Sequence, residues 1–187
     1  MSIDFNRAAL AHQKAIQSVL VQSQKIESLV QTMVASIKGG GKIIWLGNGG
    51  SAADAQHMAA ELMVRYVKNR QPIASIALTT DSSILTAHSN DYSFDSVFAR
   101  QIEGLAQPKD VVIGLSTSGE SVNVIQAIKA ANQKGCFTVA MTGGGENSLS
   151  QLATLFLAID SKETARIQEA HSFISHLICE SLDLVFD

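Results

Sequence analysis

The sequence predicts a single α/β domain: a doubly wound, five-stranded parallel sheet flanked by helices and preceded by an N-terminal helical extension. Two observations predict it. Five short apolar runs alternate with helical segments, and near-continuous apolar strands are those buried on both faces of a parallel sheet. No linker, repeat or low-complexity stretch breaks the 187 residues, which hold only two prolines. The span 1–187 is therefore one domain, with N-terminal helices over 1–40 and the α/β core with its C-terminal helix over 41–187.

Each element has its own signal. Ile16, Leu20, Ile26, Leu29, Val30, Met33, Val34 and Ile37 recur at helical spacing, giving one long helix or two before Gly39-Gly40-Gly41 stops it. Lys42-Ile43-Ile44-Trp45-Leu46 is the first strand, and a glycine turn then opens a helix over about 51–68. A second strand covers 73–78, helical segments cover 82–89 and 94–105, and Val111–Leu115 is the third strand. A helix over 121–133, a strand over 137–141, a strand over 155–159 and a last helix over 163–185 complete the set. In such sheets ligands bind beyond the carboxyl ends of the strands, where the polar loops 47–51, 79–83, 116–121 and 142–147 fall.

Composition narrows the class. Net charge is −3, and no basic block is present, which argues against nucleic acid as a partner. Charged residues make up only 17% of the chain, a hint of extra buried surface at subunit contacts. No apolar stretch is long enough to span a bilayer, and the polar start Met1–Arg7 lacks a signal-peptide core, so a cytoplasmic location is expected. Cys136 and Cys179 form no metal-type or redox-type pair and read as buried, reduced thiols.

The chemistry sits in the loops. Gly47-Asn48-Gly49-Gly50-Ser51 lacks the spacing of a dinucleotide fingerprint and the lysine of a Walker loop. It reads as a strand-to-helix turn that presents backbone N–H groups to a small polar ligand. Ser116-Thr117-Ser118-Gly119-Glu120-Ser121 carries four hydroxyls where a helix cap needs one, which points to a phosphate. His57 and Glu61, four apart on one helical face, suit an exposed polar pair, a metal site or an acid–base pair. Asn90-Asp91 closes another polar segment. On the last helix stand Arg166, Gln168, Glu169, His171 and His176. Gln168 and His176 differ by about 80° around the axis and about 12 Å along it, so they meet one ligand only by leaning together. His171 and His176 point to different faces.

The run Gly47-Asn48-Gly49-Gly50-Ser51 with Asp54, His57, Glu61, Leu62, Arg65 and Tyr66 resembles the phosphoheptose isomerases (sedoheptulose 7-phosphate isomerases) of the sugar isomerase, or SIS, domain superfamily. Asn90-Asp91, the serine loop and Arg166-Ile167-Gln168-Glu169 with His171 resemble them too. The likeness covers the whole chain, including the N-terminal helices. It implies an aldose–ketose isomerase joining sedoheptulose 7-phosphate to D-glycero-D-manno-heptose 7-phosphate, the first step toward the heptose of lipopolysaccharide and other surface glycans. It implies substrate contacts at Asn48, Gly49, Gly50, Ser51, Glu61, Asn90, Asp91, Ser116, Thr117, Ser118, Ser121 and Gln168, and extends to Arg65. It implies one zinc per subunit on His57, Glu61, Gln168 and His176, and a homotetramer with active sites between subunits. Some relatives carry an acidic residue where this chain has Ala165.

Isomerisation moves a proton between C1 and C2 through a cis-enediol and needs a base at carbon and an acid at the neighbouring oxygen. On this reading Glu61 and His176 are the catalytic pair and the serine loop anchors the phosphate. A rival class keeps the fold without the chemistry: SIS-domain regulators that bind the replication initiator. Such a protein is expected to lack the carboxylate or the last histidine, and this chain has both Glu61 and His176.

Overall fold

The computed structural model describes residues 3–187; Met1 and Ser2, the start of the polar N-terminus, lie outside the described residues. The chain runs α1 (Phe5–Leu20), α2 (Ser23–Lys38), β1 (Ile43–Gly47), α3 (Gly50–Met63), β2 (Ser75–Ala77) and α4 (Ser82–Asp91). A 3-10 turn (Phe94–Ser96) leads into α5 (Val97–Leu105), β3 (Val111–Ser116), α6 (Val122–Gln133) and β4 (Phe137–Gly143). Then come α7 (Ser148–Leu152), β5 (Leu155–Ile159) and α8 (Thr164–Val185). All strand pairings are parallel, in the order β2-β1-β3-β4-β5. The expected five-stranded α/β architecture with its N-terminal helices is what forms.

Strand side chains alternate between two cores. Ile43 and Trp45 join Ile113, Val139, Met141 and Leu157 under α1, α2, α3 and α8. Ile44 and Leu46 join Val112 and Ala140 under α5, α6 and α7. The buried Trp45 Nε1–H donates to Ser75 Oγ at 3.1 Å, so its one polar atom is satisfied.

The N-terminal segment is two helices. At the break the Gln22 side chain turns inward, donating to Ser18 O at 2.8 Å and Ala158 O at 2.7 Å and accepting from Ala158 N at 3.0 Å. It thereby caps α1 and covers the backbone of the edge strand β5, whose open polar groups otherwise invite pairing.

Other boundaries depart from the sequence reading for identifiable reasons. The helix expected over 51–68 stops at Met63. Buried Arg70 donates to the carbonyls of Glu61 at 2.9 Å and Leu62 at 2.8 Å, and pairs with buried Asp183 at 2.6 Å. Asp183 also accepts from Val67 N at 2.8 Å and Lys68 N at 2.9 Å, which holds 67–68 out of the helix. Burial works against the Asp183 charge, but these two N–H groups and Arg70 outweigh it and hold its pKa below the ordinary value. The strand expected over 73–78 keeps only Ser75–Ala77. The helix expected over 82–89 runs on to Asp91. The segment expected as one helix over 94–105 begins as a 3-10 turn, and α7 is an addition.

Both cysteines are buried and free, and burial pushes the Cys179 thiol up to about 12, as an inert core thiol requires. Among the described residues no helix is long and apolar enough to cross a membrane.

His171 lies fully buried on α8, its Nε2 3.3 Å from Thr142 O and its Nδ1 without a partner. Burial lowers its pKa from 6.5 to about 4, against a smaller opposing effect of the Thr142 bond. A depressed folded value means the unfolded chain binds the extra proton first. The stability that neutral His171 provides is complete above about pH 6.5 and lost as pH falls toward 4. The loss expected is about 3 kcal/mol. Urea midpoints of the parent and His171→Gln should differ in their slope across this window; parallel pH profiles would refute the assignment.

Candidate active site

The strand order reverses beside β1: the chain goes from β1 to β2 on one side and then to β3 on the other. The carboxyl ends of β1 and β3 lie paired, Gly47 opposite Leu115, so the glycine and serine loops emerge side by side at the crevice where such folds bind ligands. Asn48 and Asn123 lock them together through two reciprocal amide–amide hydrogen bonds, Asn48 Nδ2 donating to Asn123 Oδ1 at 2.8 Å and Asn123 Nδ2 to Asn48 Oδ1 at 2.9 Å. Asn48 is thus already engaged, and its partner Asn123, in the first turn of α6, is a residue that sequence reasoning missed. Its only signal was its place directly after the serine loop.

In the serine loop Ser116 Oγ is 2.8 Å from Ser121 Oγ and 3.4 Å from Ser118 Oγ. Gly119 N donates to Ser116 Oγ at 3.2 Å and Glu120 N to Ser118 Oγ at 3.1 Å, while Thr117 O accepts from Gly143 N at 3.0 Å. Ser121 occupies the N-cap position of α6 but its side chain caps no backbone N–H. The first turn of α6 therefore keeps free donors beside four hydroxyls, an anion cup that needs no lysine.

The back of this cup rests on α7. Gly119 has φ +72°, and a side chain there would run into Asn147. Glu120 accepts from Ser148 N at 2.8 Å and Ser148 Oγ at 2.6 Å, bonds that hold its carboxyl below the usual range.

At the glycine loop, Gly49 is the N-cap of α3 and Ser51 is buried behind the loop. The Gln168 amide lies across Gly50: a Cβ at Gly50 would sit 2.5 Å from Gln168 Nε2. One turn on, Ser172 donates to Asp54 Oδ1 at 2.7 Å. One turn further, the His176 and His57 rings meet edge to face, centroids 5.2 Å apart. Helices α3 and α8 thus run parallel, touching at steps of three or four residues.

His57 Nε2 is 3.0 Å from Glu61 Oε1. Their side chains are 49% and 22% exposed, so as an ion pair they add little stability and remain open to a ligand. Glu61, His57 and His176 form one cluster. Gln168 does not join it: it stays at Gly50, two turns from His176, because an α-helix places i and i+8 about 12 Å apart. The expected four-ligand zinc set is therefore not gathered within one chain. Among the described residues no three His, Cys, Asp or Glu side chains stand close enough to hold a metal ion. His57 and Glu61 bond each other instead.

Asn90 and Asp91 lie exposed in the last turn of α4, bonded to each other at 2.9 Å. No hydrogen bond among the described residues joins them to the other candidates. Arg65 is exposed beyond the end of α3, and among the described residues its side chain reaches only Val67 O, at 3.4 Å. Asp54, Ser172 and Tyr66 are further neighbours of the site to which the sequence reading gave no role.

Gly50 offers a direct test. Gly50→Ala forces the Gln168 amide away while leaving the strands untouched. We expect a thermal midpoint within a few degrees of the parent and a loss of turnover of about tenfold or more. Unchanged turnover would remove Gln168 from the site.

Residues 4–143 match the SIS domain family. A phosphoheptose isomerase of Syntrophotalea carbinolica is 52% identical over 159 residues, covering 85% of this chain and 81% of the relative. That of Campylobacter concisus is 47% identical over 176 residues, covering 94% and 93%. The solved phosphoheptose isomerase of Neisseria gonorrhoeae superposes with a TM-score of 0.89 at 37% identity, covering 96% of both chains. With identity at this level over nearly its whole length, the chain belongs to the phosphoheptose isomerase family of SIS-domain proteins.

Proposed function

We propose that this chain interconverts sedoheptulose 7-phosphate and D-glycero-D-manno-heptose 7-phosphate. The observation that carries the reading is the Glu61 carboxylate clustered with two imidazoles, in a chain that also holds a lysine-free anion cup. The rival regulator has no use for that cluster. The cup fixes the phosphate, so the sugar's other end is positioned rather than captured by chance. Glu61 takes the proton from C1 or C2 and returns it to the neighbouring carbon. His176 moves the compensating proton between the two oxygens of the enediol. Both are half-buried, so a substrate can reach them from solvent.

Two imidazoles, a carboxylate and an amide make a donor set that suits zinc. His57, Glu61 and His176 would hold it once the His57–Glu61 hydrogen bond is given up, with Gln168 of a second subunit as fourth ligand. Bound there, it would polarise the substrate's carbonyl and hydroxyl oxygens.

Three features support a homotetramer with shared sites. Helix α4, which carries Asn90 and Asp91, buries none of its ten residues. Phe5, Val21, Val67 and Tyr92 stand 74%, 85%, 69% and 73% exposed. Glu61 lies about 16 Å along the α3 axis from Gly50, a long reach for one sugar phosphate anchored in the same chain. A partner subunit would cover the apolar faces and bring a second set of loops to Glu61. The heptose phosphate formed would enter surface-glycan synthesis.

Turnover of sedoheptulose 7-phosphate, with and without chelator and added zinc, tests the reading. Turnover that falls with chelator and returns with zinc supports both reaction and metal; indifference to chelator demotes the zinc ligands alone; no turnover from folded protein favours the regulator. Separately, Glu61→Gln and His176→Gln should each lower kcat by about a hundredfold or more while the fold and phosphate binding survive. If His176→Gln alters only thermal stability, that residue belongs to the core.

A further inference from the structure

Among the described residues neither ring nitrogen of His176 makes a hydrogen bond, although a general acid–base histidine needs a fixed orientation. Two rings flank it. On one side is His57, edge to face at 5.2 Å with 73° between planes. On the other is Tyr66, tilted by 32° with centroids 5.7 Å apart.

The two neighbours are not equivalent. His57 is half exposed and already bonded to Glu61, so it moves when that pair rearranges. Tyr66 is partly buried and packs on the main core cluster. The segment that carries it follows the end of α3 and is tied down just beyond, where Asp183 accepts from Val67 N and Lys68 N. Among the described residues the Tyr66 hydroxyl has no hydrogen-bond partner, so the ring, not the oxygen, is the part in use.

We propose that Tyr66 is a positioning residue: its aromatic face fixes the imidazole of His176 for proton transfer, and any flat aromatic ring at that place serves. This rests on the isomerase reading above and deepens it, because it names what orients the imidazole that moves the proton.

The test compares Tyr66→Phe with Tyr66→Leu. The phenylalanine variant should keep kcat and KM within about twofold. The leucine variant should lose about ten- to a hundredfold in kcat, the scale of a misplaced catalytic group, with KM changed less than about threefold. Tyr66→Met replaces Tyr66→Leu should the latter unfold at the assay temperature. A readout independent of activity is the His176 ring resonance, assigned by its loss in His176→Gln: it should shift in Tyr66→Leu and hold in Tyr66→Phe. Folded Tyr66→Leu with parental kcat overturns the proposal, and so does a phenylalanine variant as damaged as the leucine one. If the parent itself fails to turn over sedoheptulose 7-phosphate, the isomerase reading falls, and the resonance alone decides the ring contact: an unmoved signal overturns it.

Discussion

Helices α3 and α8 lie parallel and touch at intervals of one turn, and the site depends on that alignment. Gln168 rests on Gly50, Ser172 donates to Asp54, His176 meets His57, and the Cys179 and Met58 sulfurs stand 3.8 Å apart. The i, i+4 rows of two helices face each other along this seam. Below it, Arg70 and Asp183 fix the register: Asp183 belongs to α8, while Arg70 holds the last carbonyls of α3. Removing either member would leave a buried charge uncompensated, a cost of about 3–5 kcal/mol. A slip of either helix would move every contact at once, because none of these residues is held by its own element alone.

The anion cup depends on a different constraint. It contains no cation, so its strength comes from hydroxyls and backbone donors that must already be aimed. Preorganisation is supplied from outside the loop. The Asn48–Asn123 pair sets its distance from the glycine loop, and Asn147 and Ser148 press on it from behind. Only glycine at 119 allows Asn147 so close. The structure therefore spends a short helix, α7, on the rigidity of one loop.

Strand positions and the loops at their carboxyl ends were legible in the sequence because period and glycine content are local signals. The end of α3 was not, since nothing in 64–68 itself breaks a helix; Asp183, more than a hundred residues away, does so through Val67 N and Lys68 N. The missed residues share that character. Asn123, Asn147 and Ser172 are ordinary in their own segments, and Tyr66, though part of the family-like run, had no role there; each acquires meaning from a partner brought up by the fold. Even the correct warning about Gln168 and His176, that one helix cannot aim both at a point, was a local argument from helical pitch.

Within one chain α8 delivers Gln168 to the start of α3 and His176 to its middle, so one straight helix serves two places. A rigid helix pair cannot bring them together without breaking the Ser172–Asp54 bond between them. Completion by a second subunit avoids that cost: the cup and Gln168 of one copy would face the Glu61 and His176 of another. The same arrangement would cover α4, which touches the core only through the partly buried Leu85 yet presents Asn90 and Asp91. Exposed apolar surface, a helix with no fully buried residue and a divided ligand set would then be consequences of one geometry, in which each chain would carry two halves of different sites.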